Sequence, residues 1–398
     1  MGELNNQTMK YLRVGIIGVG NMGTAHALCI NQGGVEGMTL TAVCDIDDQR
    51  LNFFKQNYPN LKTYTNYIDL LHSNEIDAVI IAVPHPLHSA IAIEAFKCGL
   101  HVMLEKPADI SVSKVKLLNE TAKKSGKKFA IMFNQRTNPL FKKVREIVSN
   151  GQLGQLKRTI WIVTNWYRTQ SYYNSGSWRA TWAGEGGGVL INQAPHNLDL
   201  WQWICGMPES VIAFCDVAKY HNIEVEDDVT IITRYKNGAV GTFITSTGEY
   251  PGTNRLEISG TLGKIVVENA TLKWWKLKND EREVCESSLE SFVKIESEYT
   301  EITSQTPEAG HKGILQNFAN AVLYNEELLS PGSEGIFELM LSNAAYLSSW
   351  KGNCEIKLPL DNAEFDKYLH RLAQSTKSRA KTKISSTTGY RERWKVQW

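Results

Sequence analysis

The sequence predicts an α/β domain with a parallel sheet, followed by an α+β domain with a large, mainly antiparallel open sheet. Up to about residue 134, short β-branched runs alternate with helical patterns, which is typical of parallel strands joined by right-handed crossovers. After about residue 150, strand-like runs follow one another with few helices between them. The length of 398 residues agrees with two domains. We place the first at residues 10–135, the second at 136–375 and a basic C-terminal arm at 376–398.

The composition describes an ordinary globular protein and argues against several partners. With 42% hydrophobic residues, 21% charged residues and a net charge of +1, nothing favours nucleic acid or a membrane as partner. The absence of a membrane-length apolar run or a signal-peptide core predicts a cytoplasmic protein. The seven scattered cysteines and nine histidines show no ligand spacing, so neither disulfides nor a metal site is expected. Residues 374–398 carry seven Lys or Arg and one Glu, and we interpret them as an extended arm or a subunit contact.

The first element is a short buried strand at residues 14–17 that runs into a glycine-rich turn. In this G-x-G-x-x-G, Gly18 makes the tight turn, Gly20 lets backbone N–H groups approach a pyrophosphate, and Gly23 lets the next helix pack closely on the strand. Asn21 and Met22 open that helix, whose N-terminus favours phosphate. The alternative is a plain strand–turn–helix, but the context favours a Rossmann dinucleotide-binding domain.

The second strand, at residues 40–44, ends on Asp45, at about the distance expected of a carboxylate that binds a ribose. This carboxylate would accept hydrogen bonds from both ribose hydroxyls and repel a 2′-phosphate. No arginine follows immediately, since the next residues are Ile46, Asp47 and Asp48. The sequence therefore favours NAD over NADP.

Three further strands end in residues that belong at the same edge of the sheet. These strands are 76–83 before Pro84, 101–104 before Glu105 and 129–133 before Asn134. Ligands of parallel sheets bind at the carboxyl ends of the strands. We therefore expect the dinucleotide site to include Val83, Pro84, His88, Glu105 and Asn134.

The second domain is predicted from runs that alternate apolar and polar residues and are joined by turns such as 236–238. An open antiparallel sheet leaves one face apolar, so we expect a homodimer or homotetramer built by packing these faces. The strand runs lie at residues 159–164, 211–217, 229–235, 239–245, 255–260 and 264–268, and helical patterns at about 192–204, 312–325 and 334–350.

A block of three glycines, residues 186–188, precedes a segment with candidate catalytic groups. Asn192 and His196 are four residues apart and would share one face of a single helix, which Pro195 requires to start at about residue 192 or 193. His196 is the natural general base for an alcohol oxidation, with a pKa close to the working pH. A packed or capping histidine is the alternative.

Taken together, these motifs resemble the glucose–fructose oxidoreductase / inositol dehydrogenase / MocA family of nicotinamide-dependent sugar and polyol dehydrogenases. The resemblance covers nearly the whole chain and includes, in family order, the glycine fingerprint, residues 82–84 with His88, Glu105-Lys106-Pro107, and the glycine block with His196. It implies that Lys106 binds a substrate hydroxyl and stabilises negative charge on its oxygen. It also implies that Glu105 lies near the nicotinamide ribose. The chain departs from much of the family at Asn192, where aspartate is usual and a proton relay would need it.

A third patch combines aromatic and arginine side chains just before the glycine block. Aromatic faces stack on sugar rings, and arginine binds hydroxyls, carboxylates or phosphate. A role in the core or at an interface is the alternative. The family resemblance implies that Trp178 and Arg179 reach the cofactor or substrate. We expect the substrate site to include Arg136, Trp166, Arg168, Tyr173 and His311.

We interpret the chain as an NAD-dependent dehydrogenase that acts on a ring hydroxyl of a cyclic polyol or sugar, such as an inositol, a glucoside or an anhydrosugar. In this hypothesis His196 takes the hydroxyl proton and Lys106 stabilises the alkoxide, assisted by Asn192. One alternative is a glycosidase that retains NAD and works by oxidation, elimination and reduction. The other is a non-catalytic sensor that binds NAD.

Overall fold

The computed structural model describes residues 11–304 and 307–376. Apart from Thr376, the predicted basic arm therefore lies outside the described residues. None of the described helices is long and apolar enough to cross a membrane.

The N-terminal half forms a six-stranded sheet, sheet A, in which every pairing is parallel. The spatial order is β3-β2-β1-β4-β5-β6, so the direction of winding reverses between β1 and β4. Such a switch point opens a crevice at the carboxyl ends of the strands. The strands are β1 (Leu12–Ile17), β2 (Met38–Cys44), β3 (Lys62–Tyr64), β4 (Ala78–Ile81), β5 (His101–Leu104) and β6 (Phe129–Ile131).

Helices cover both faces of sheet A, and the apolar side chains of its central strands are therefore buried on both sides. Helices α1 and α2 pack on one face together with a helix from late in the chain, α11 (Gly310–Tyr324). Helices α3, α4 and α5 pack on the other face. The helices of this half are α1 (Asn21–Asn31), α2 (Asp48–Asn57), α3 (Tyr67–Leu71), α4 (His88–Lys97), α5 (Val112–Ser125) and α6 (Pro139–Ser149).

The second half forms a nine-stranded sheet, sheet B, with the order β14-β13-β12-β11-β7-β10-β9-β8-β15. All its pairings are antiparallel except that of β7 with β10. The strands are β7 (Leu156–Val163), β8 (Ser210–Val217), β9 (Glu226–Arg234), β10 (Val240–Ser246), β11 (Asn254–Gly260), β12 (Gly263–Glu268), β13 (Thr271–Leu277), β14 (Ser297–Thr303) and β15 (Ile356–Lys357). The predicted fold class is thereby confirmed.

Helices of the second half cover one face of sheet B, and α9 and α12 contribute most of the buried side chains on that side. The other face is more exposed and carries apolar side chains, among them Phe214, Ile232 and Val240. The remaining helices are α7 (Gln170–Tyr173), α8 (Val189–Asn192), α9 (Pro195–Cys205), α10 (Glu281–Ser287), α12 (Gly335–Trp350) and α13 (Asn362–Ser375).

Candidate active site

The glycine-rich turn between β1 and α1 has the shape that a bound pyrophosphate requires. At Gly18 the φ angle is +86°, and a Cβ there would lie 2.5 Å from the carbonyl oxygen of Ala82. A Cβ on Gly23 would lie 1.8 Å from the Gly18 carbonyl oxygen, so both positions need glycine for packing. At Gly20 a Cβ would meet only a guanidinium nitrogen of Arg50, at 3.6 Å. Because Gly20 is the N-cap and offers no side chain, the first N–H groups of α1 remain available to an anion.

Asp45 follows β2, and its carboxylate is buried beside the glycine turn. It accepts hydrogen bonds from the backbone N–H groups of Val19 and Asp47, both at 2.9 Å. The Arg50 guanidinium lies 3.2 Å from Asp45 Oδ2. Arg50 is half exposed and stands in the first turn of α2, beyond the residues considered from the sequence. Arg50 therefore places a positive charge next to the Asp45 carboxylate, and the sequence analysis did not predict this charge.

Glu105 follows β5 and forms a buried pair with His26, a residue of α1 that the sequence analysis did not select. His26 Nε2 lies 2.7 Å from Glu105 Oε1, and the His26 and His311 rings are 5.8 Å apart. Burial alone would raise the pKa of Glu105, but the hydrogen bond to His26 and the neighbouring His26, His311 and Lys106 bring it down to about 2. Glu105 is thus an ionised carboxylate. It joins the helix behind the glycine turn to the end of β5.

The loops after β4 and β5 are joined by His88. Its Nδ1 lies 2.7 Å from the Pro107 carbonyl oxygen and its Nε2 lies 2.8 Å from the Val83 carbonyl oxygen. Both ring nitrogens face backbone carbonyl oxygens, and a neutral ring donates to one of them, so the structure gives His88 a role in joining these two loops. The ring fixes Val83 and Pro84 beside the turn at Gly18. A direct contact of His88 with the cofactor stays a prediction.

Lys106, Asn192 and His196 converge at the end of β5, although not as the sequence analysis expected. Asn192 ends the short helix α8, and His196 is the second residue of a separate helix, α9, that begins at Pro195. Proline lacks an N–H and its ring clashes with the carbonyl four residues earlier, which interrupts the expected single helix. The Asn192 carbonyl oxygen instead accepts a hydrogen bond of 2.7 Å from Lys106 Nζ. All three residues are partly exposed to solvent, whereas most of the residues around them are buried.

The electrostatic environment corrects one expectation about His196. Burial, reinforced by the positive charge of Lys106, holds the pKa of His196 well below its usual value, not close to the working pH. The imidazole is therefore neutral and able to accept a proton. Burial also lowers the pKa of Lys106, and the carboxyl groups of Glu105, Glu338 and Glu185 oppose that shift.

Two buried carboxyl groups that the sequence analysis missed hold the glycine block. Glu226 in β9 accepts hydrogen bonds from the backbone N–H of Gly188 (2.9 Å) and Leu190 (3.0 Å). Glu185 accepts hydrogen bonds from the side-chain amide of Asn192 and from the Ala180 N–H. The N–H groups at the start of α8 are thus satisfied by a carboxylate from sheet B. Neither partnership has a sequence pattern, because each depends on contacts made by the fold.

Two residues predicted to bind substrate are structural. Arg136 is fully buried and donates two hydrogen bonds to Asp199, at 2.8 and 2.6 Å, and another to Glu334. Tyr173 is buried, and its hydroxyl lies 2.7 Å from the Thr247 hydroxyl. Because both polar groups are satisfied inside the protein, we correct their assignment to the substrate site.

The other members of the aromatic patch divide into two groups. Arg168 lies over the ring of the buried Trp166, 5.7 Å from its centroid, and donates to two backbone carbonyls, which favours a packing role for this pair. Arg179 stacks on Trp178 at 4.5 Å and lies 3.9 Å from the Glu185 carboxylate. The Trp178–Arg179 pair is therefore adjacent to the site.

His311 begins α11, and its environment places it at the same site. Burial brings its pKa to about 4, the Glu105 carboxylate opposes this fall, and the neighbouring His26 and Lys106 add to it.

A dinucleotide fits the residues at the carboxyl edge of sheet A. The open position at Gly20 and the uncapped start of α1 can receive the pyrophosphate. Asp45, whose carboxylate is buried beside this turn, would then bind the ribose. Asn134, after β6, has a buried Oδ1 with no hydrogen-bond partner among the described residues, which leaves it for a donor from a ligand. Glu105 and Lys106 would then face the nicotinamide end.

A cluster of possible metal ligands lies away from this site. Among the described residues, one group has the side chains to hold an ion: His72, Glu94 and Cys98. These residues follow α3 or lie at the end of α4, at the opposite edge of sheet A from the glycine turn.

Comparison with known sequences gives two family matches that agree with this geometry. Residues 12–133 match the oxidoreductase family with an NAD-binding Rossmann fold, and residues 141–266 match the GFO/IDH/MocA C-terminal domain. The uncharacterized oxidoreductase YrbE of Bacillus subtilis is 25% identical over 85% of this chain and 94% of its own. The myo-inositol 2-dehydrogenase of Thermotoga maritima is 28% identical over 65% of this chain and 75% of its own.

A solved structure shows the same fold with a nicotinamide cofactor. The WlbA dehydrogenase of Bordetella pertussis, in complex with NADH and UDP-GlcNAcA, superimposes with a TM-score of 0.73 at 26% identity. The alignment covers 88% of this chain and all of that one. The family matches, the shared fold and the glycine turn identify the cofactor as NAD and confirm the predicted resemblance. The chain belongs to the GFO/IDH/MocA family of oxidoreductases.

Proposed function

We propose that this oxidoreductase oxidises a ring hydroxyl of a cyclic polyol or sugar, or reduces the corresponding ketone. The observation that carries the proposal is the convergence of Lys106 Nζ, the end of α8 and His196 at the carboxyl end of β5, beside the dinucleotide turn. Two of the relatives support the substrate class, because one is named a myo-inositol 2-dehydrogenase and another was solved with a sugar nucleotide.

The residues divide the work of an alcohol oxidation between them. His196 is neutral because burial lowers its pKa, so its imidazole accepts the hydroxyl proton. The Lys106 ammonium, held by the Asn192 carbonyl, stabilises the negative charge that develops on the substrate oxygen. NAD, when bound, supplies the hydride acceptor. Trp178 and Arg179, which stack on each other next to Glu185, would enclose the substrate and exclude water.

We further propose that NAD is preferred over NADP and that the protein is a homo-oligomer. Asp45 would bind the ribose hydroxyls and repel a 2′-phosphate, although Arg50 offsets part of its charge. The exposed apolar side chains on the open face of sheet B favour contact with a second copy.

The test is a substrate panel of inositols, aldoses and glycosides in which NADH formation is followed by absorbance. We expect at least one cyclic polyol or sugar to be oxidised. The Lys106→Ala variant should lose about a hundredfold in kcat, since one such stabilising group is worth roughly 3 kcal/mol, while NADH still binds. Lys97→Ala, at an exposed lysine of α4, is the matched control and should be unchanged.

Near-normal turnover by a folded Lys106→Ala variant would contradict the assigned role. Cleavage of a glycoside without net NADH formation would replace the dehydrogenase by a glycosidase that retains NAD. Inactivity over the whole panel, with NADH bound, would favour a sensor.

A further inference from the structure

Glu185 connects two parts of the candidate site through a single residue, Asn192. Glu185 is buried, and one carboxylate oxygen accepts a hydrogen bond from the Asn192 side-chain amide. The other oxygen accepts a hydrogen bond of 2.6 Å from the Ala180 N–H. At the other end of Asn192, the backbone carbonyl accepts the 2.7 Å hydrogen bond from Lys106 Nζ. A chain of direct contacts therefore runs from the Glu185 carboxylate to the Lys106 ammonium.

The backbone of Glu185 is fixed as well. Its carbonyl oxygen lies 3.1 Å from Nδ1 of His85, in the loop after β4. Burial holds the pKa of His85 well below its usual value, so the ring is neutral and its Nδ1–H is the donor to this carbonyl. Glu185 is thereby fixed to sheet A through its main chain and to α8 through its side chain.

The pairing of an amide with a carboxylate at these two positions has a direct consequence. An aspartate at position 192 would place two carboxylates in contact, and they would repel each other unless they share a proton. A glutamine at position 185 could still accept from Ala180, but it would bring no charge near Lys106. The site therefore requires one carboxylate and one amide across this contact.

We propose that Glu185 is a positioning residue of the site, which fixes Asn192 beneath the Lys106 ammonium and supplies a carboxylate that keeps this ammonium charged. The proposal rests on the proposed function only in so far as Lys106 acts on a substrate oxygen. The charged and titratable groups that share the surroundings of Lys106 are Glu105 and Glu338, Arg179, and the three histidines His85, His196 and His311.

The experiment compares Glu185→Gln, Asn192→Asp and the double variant that exchanges the two groups. In the double variant the glutamine carbonyl accepts from Ala180 and its amide donates to the new aspartate, so every hydrogen bond is kept and one carboxylate remains. We expect Glu185→Gln to lose about tenfold in kcat and to shift the alkaline limb of the pH profile down by about one unit, since a negative neighbour is lost. Asn192→Asp should lose kcat increasingly as the pH rises, because the two carboxylates then lose their shared proton and repel each other. The double variant should recover most of both losses.

A second measurement does not depend on turnover. Competitive labelling of lysines with acetic anhydride over a pH series, with the Lys106 peptide followed by mass spectrometry, reports the pKa of Lys106 directly. The pKa of Lys106 should fall in Glu185→Gln and return in the double variant, with Lys97 as the internal control. If the labelling of Lys106 is the same in all four proteins, or if the losses of the two single variants add in the double variant, Glu185 has only a local structural role and the proposal fails. If labelling responds as expected but no polyol or sugar is oxidised, the proposed function fails and the positioning role stands.

Discussion

Replacing Glu226 by glutamine should change how the stability of the protein depends on pH. Glu226 is fully buried in β9, where it accepts the two backbone N–H groups that begin α8 and a 2.7 Å hydrogen bond from the Tyr346 hydroxyl. Burial raises the pKa of Glu226 from 4.5 to about 7 in spite of these hydrogen bonds. Between these two values the folded protein keeps a proton that the unfolded chain has released. The free energy of unfolding therefore falls as the pH rises through this range.

The size of the effect follows from the same shift. One pKa unit corresponds to about 1.4 kcal/mol, so a shift of this size removes roughly 2 to 3 kcal/mol of stability between pH 5 and pH 8. Glutamine has the shape of the protonated acid and does not titrate. The difference in unfolding free energy between Glu226→Gln and the parent should therefore grow by about that amount, in favour of the variant, over this interval.

Urea denaturation followed by tryptophan fluorescence at several pH values between 5 and 8 measures this difference. Glu298→Gln, at an exposed position on β14, is the matched control and should parallel the parent. If the curves for Glu226→Gln and the parent stay parallel across the whole interval, Glu226 does not titrate there, and the argument from burial is refuted.

The remaining predictions concern the cofactor and the assembly. Titration by nicotinamide fluorescence should give at least about tenfold tighter binding of NADH than of NADPH, roughly 1.4 kcal/mol, and equal affinities would contradict the role of Asp45. Asp45→Ser should raise the affinity for NADPH because it frees Arg50 to face the 2′-phosphate, and the added change Arg50→Ala should abolish that gain. Sedimentation should show a dimer or tetramer at micromolar concentration, which Ile232→Asp on the open face of sheet B weakens and Leu117→Asp on α5 does not. A strict monomer in the parent would refute the packing of these faces.

The parallel sheet and most of sheet B could be predicted because their strands are periodic or fully apolar. Strands β3, β13, β14 and β15 were not predicted. Strands β3 and β15 have only three and two residues, too few to show a period. Strand β14 was missed for another physical reason. In β14 most side chains are exposed, and glutamate and threonine alternate with few apolar residues, so its sequence lacks the period of a half-buried strand. It forms a strand because the backbone of β13 offers it hydrogen bonds along its whole length.

Residues of the site that form a local motif could be predicted from the sequence, whereas residues that meet across long sequence separations could not. Gly18, Gly20 and Gly23 could be predicted because the glycines of this turn follow one another at a fixed spacing. The structure shows that the packing requires glycine at Gly18 and Gly23 and leaves open space at Gly20. Glu226 holds N–H groups 36 and 38 residues away, and His26 meets Glu105 across 79 residues, so neither pairing leaves a spacing pattern. Arg136 was misassigned because the sequence does not show that its partner, Asp199, is buried with it.

Burial gives the candidate site its chemical character, because it moves most of the ionisable groups there toward their neutral forms. It lowers the pKa of His196, His311 and Lys106 and raises that of Glu185 and Glu338. Two carboxyl groups oppose this trend. Contact with His26 keeps Glu105 ionised. For Glu185, the positive charges of Arg179 and Lys106 and the hydrogen bonds from Ala180 and Asn192 act against the rise in pKa that burial causes. A negative charge that develops on a substrate oxygen would therefore meet few competing charges, and its attraction to the Lys106 ammonium would act in a weakly screening environment. The same burial that makes His196 a weaker base thus makes Lys106 a stronger electrostatic partner, and the carboxylates around Lys106 keep it protonated for that task.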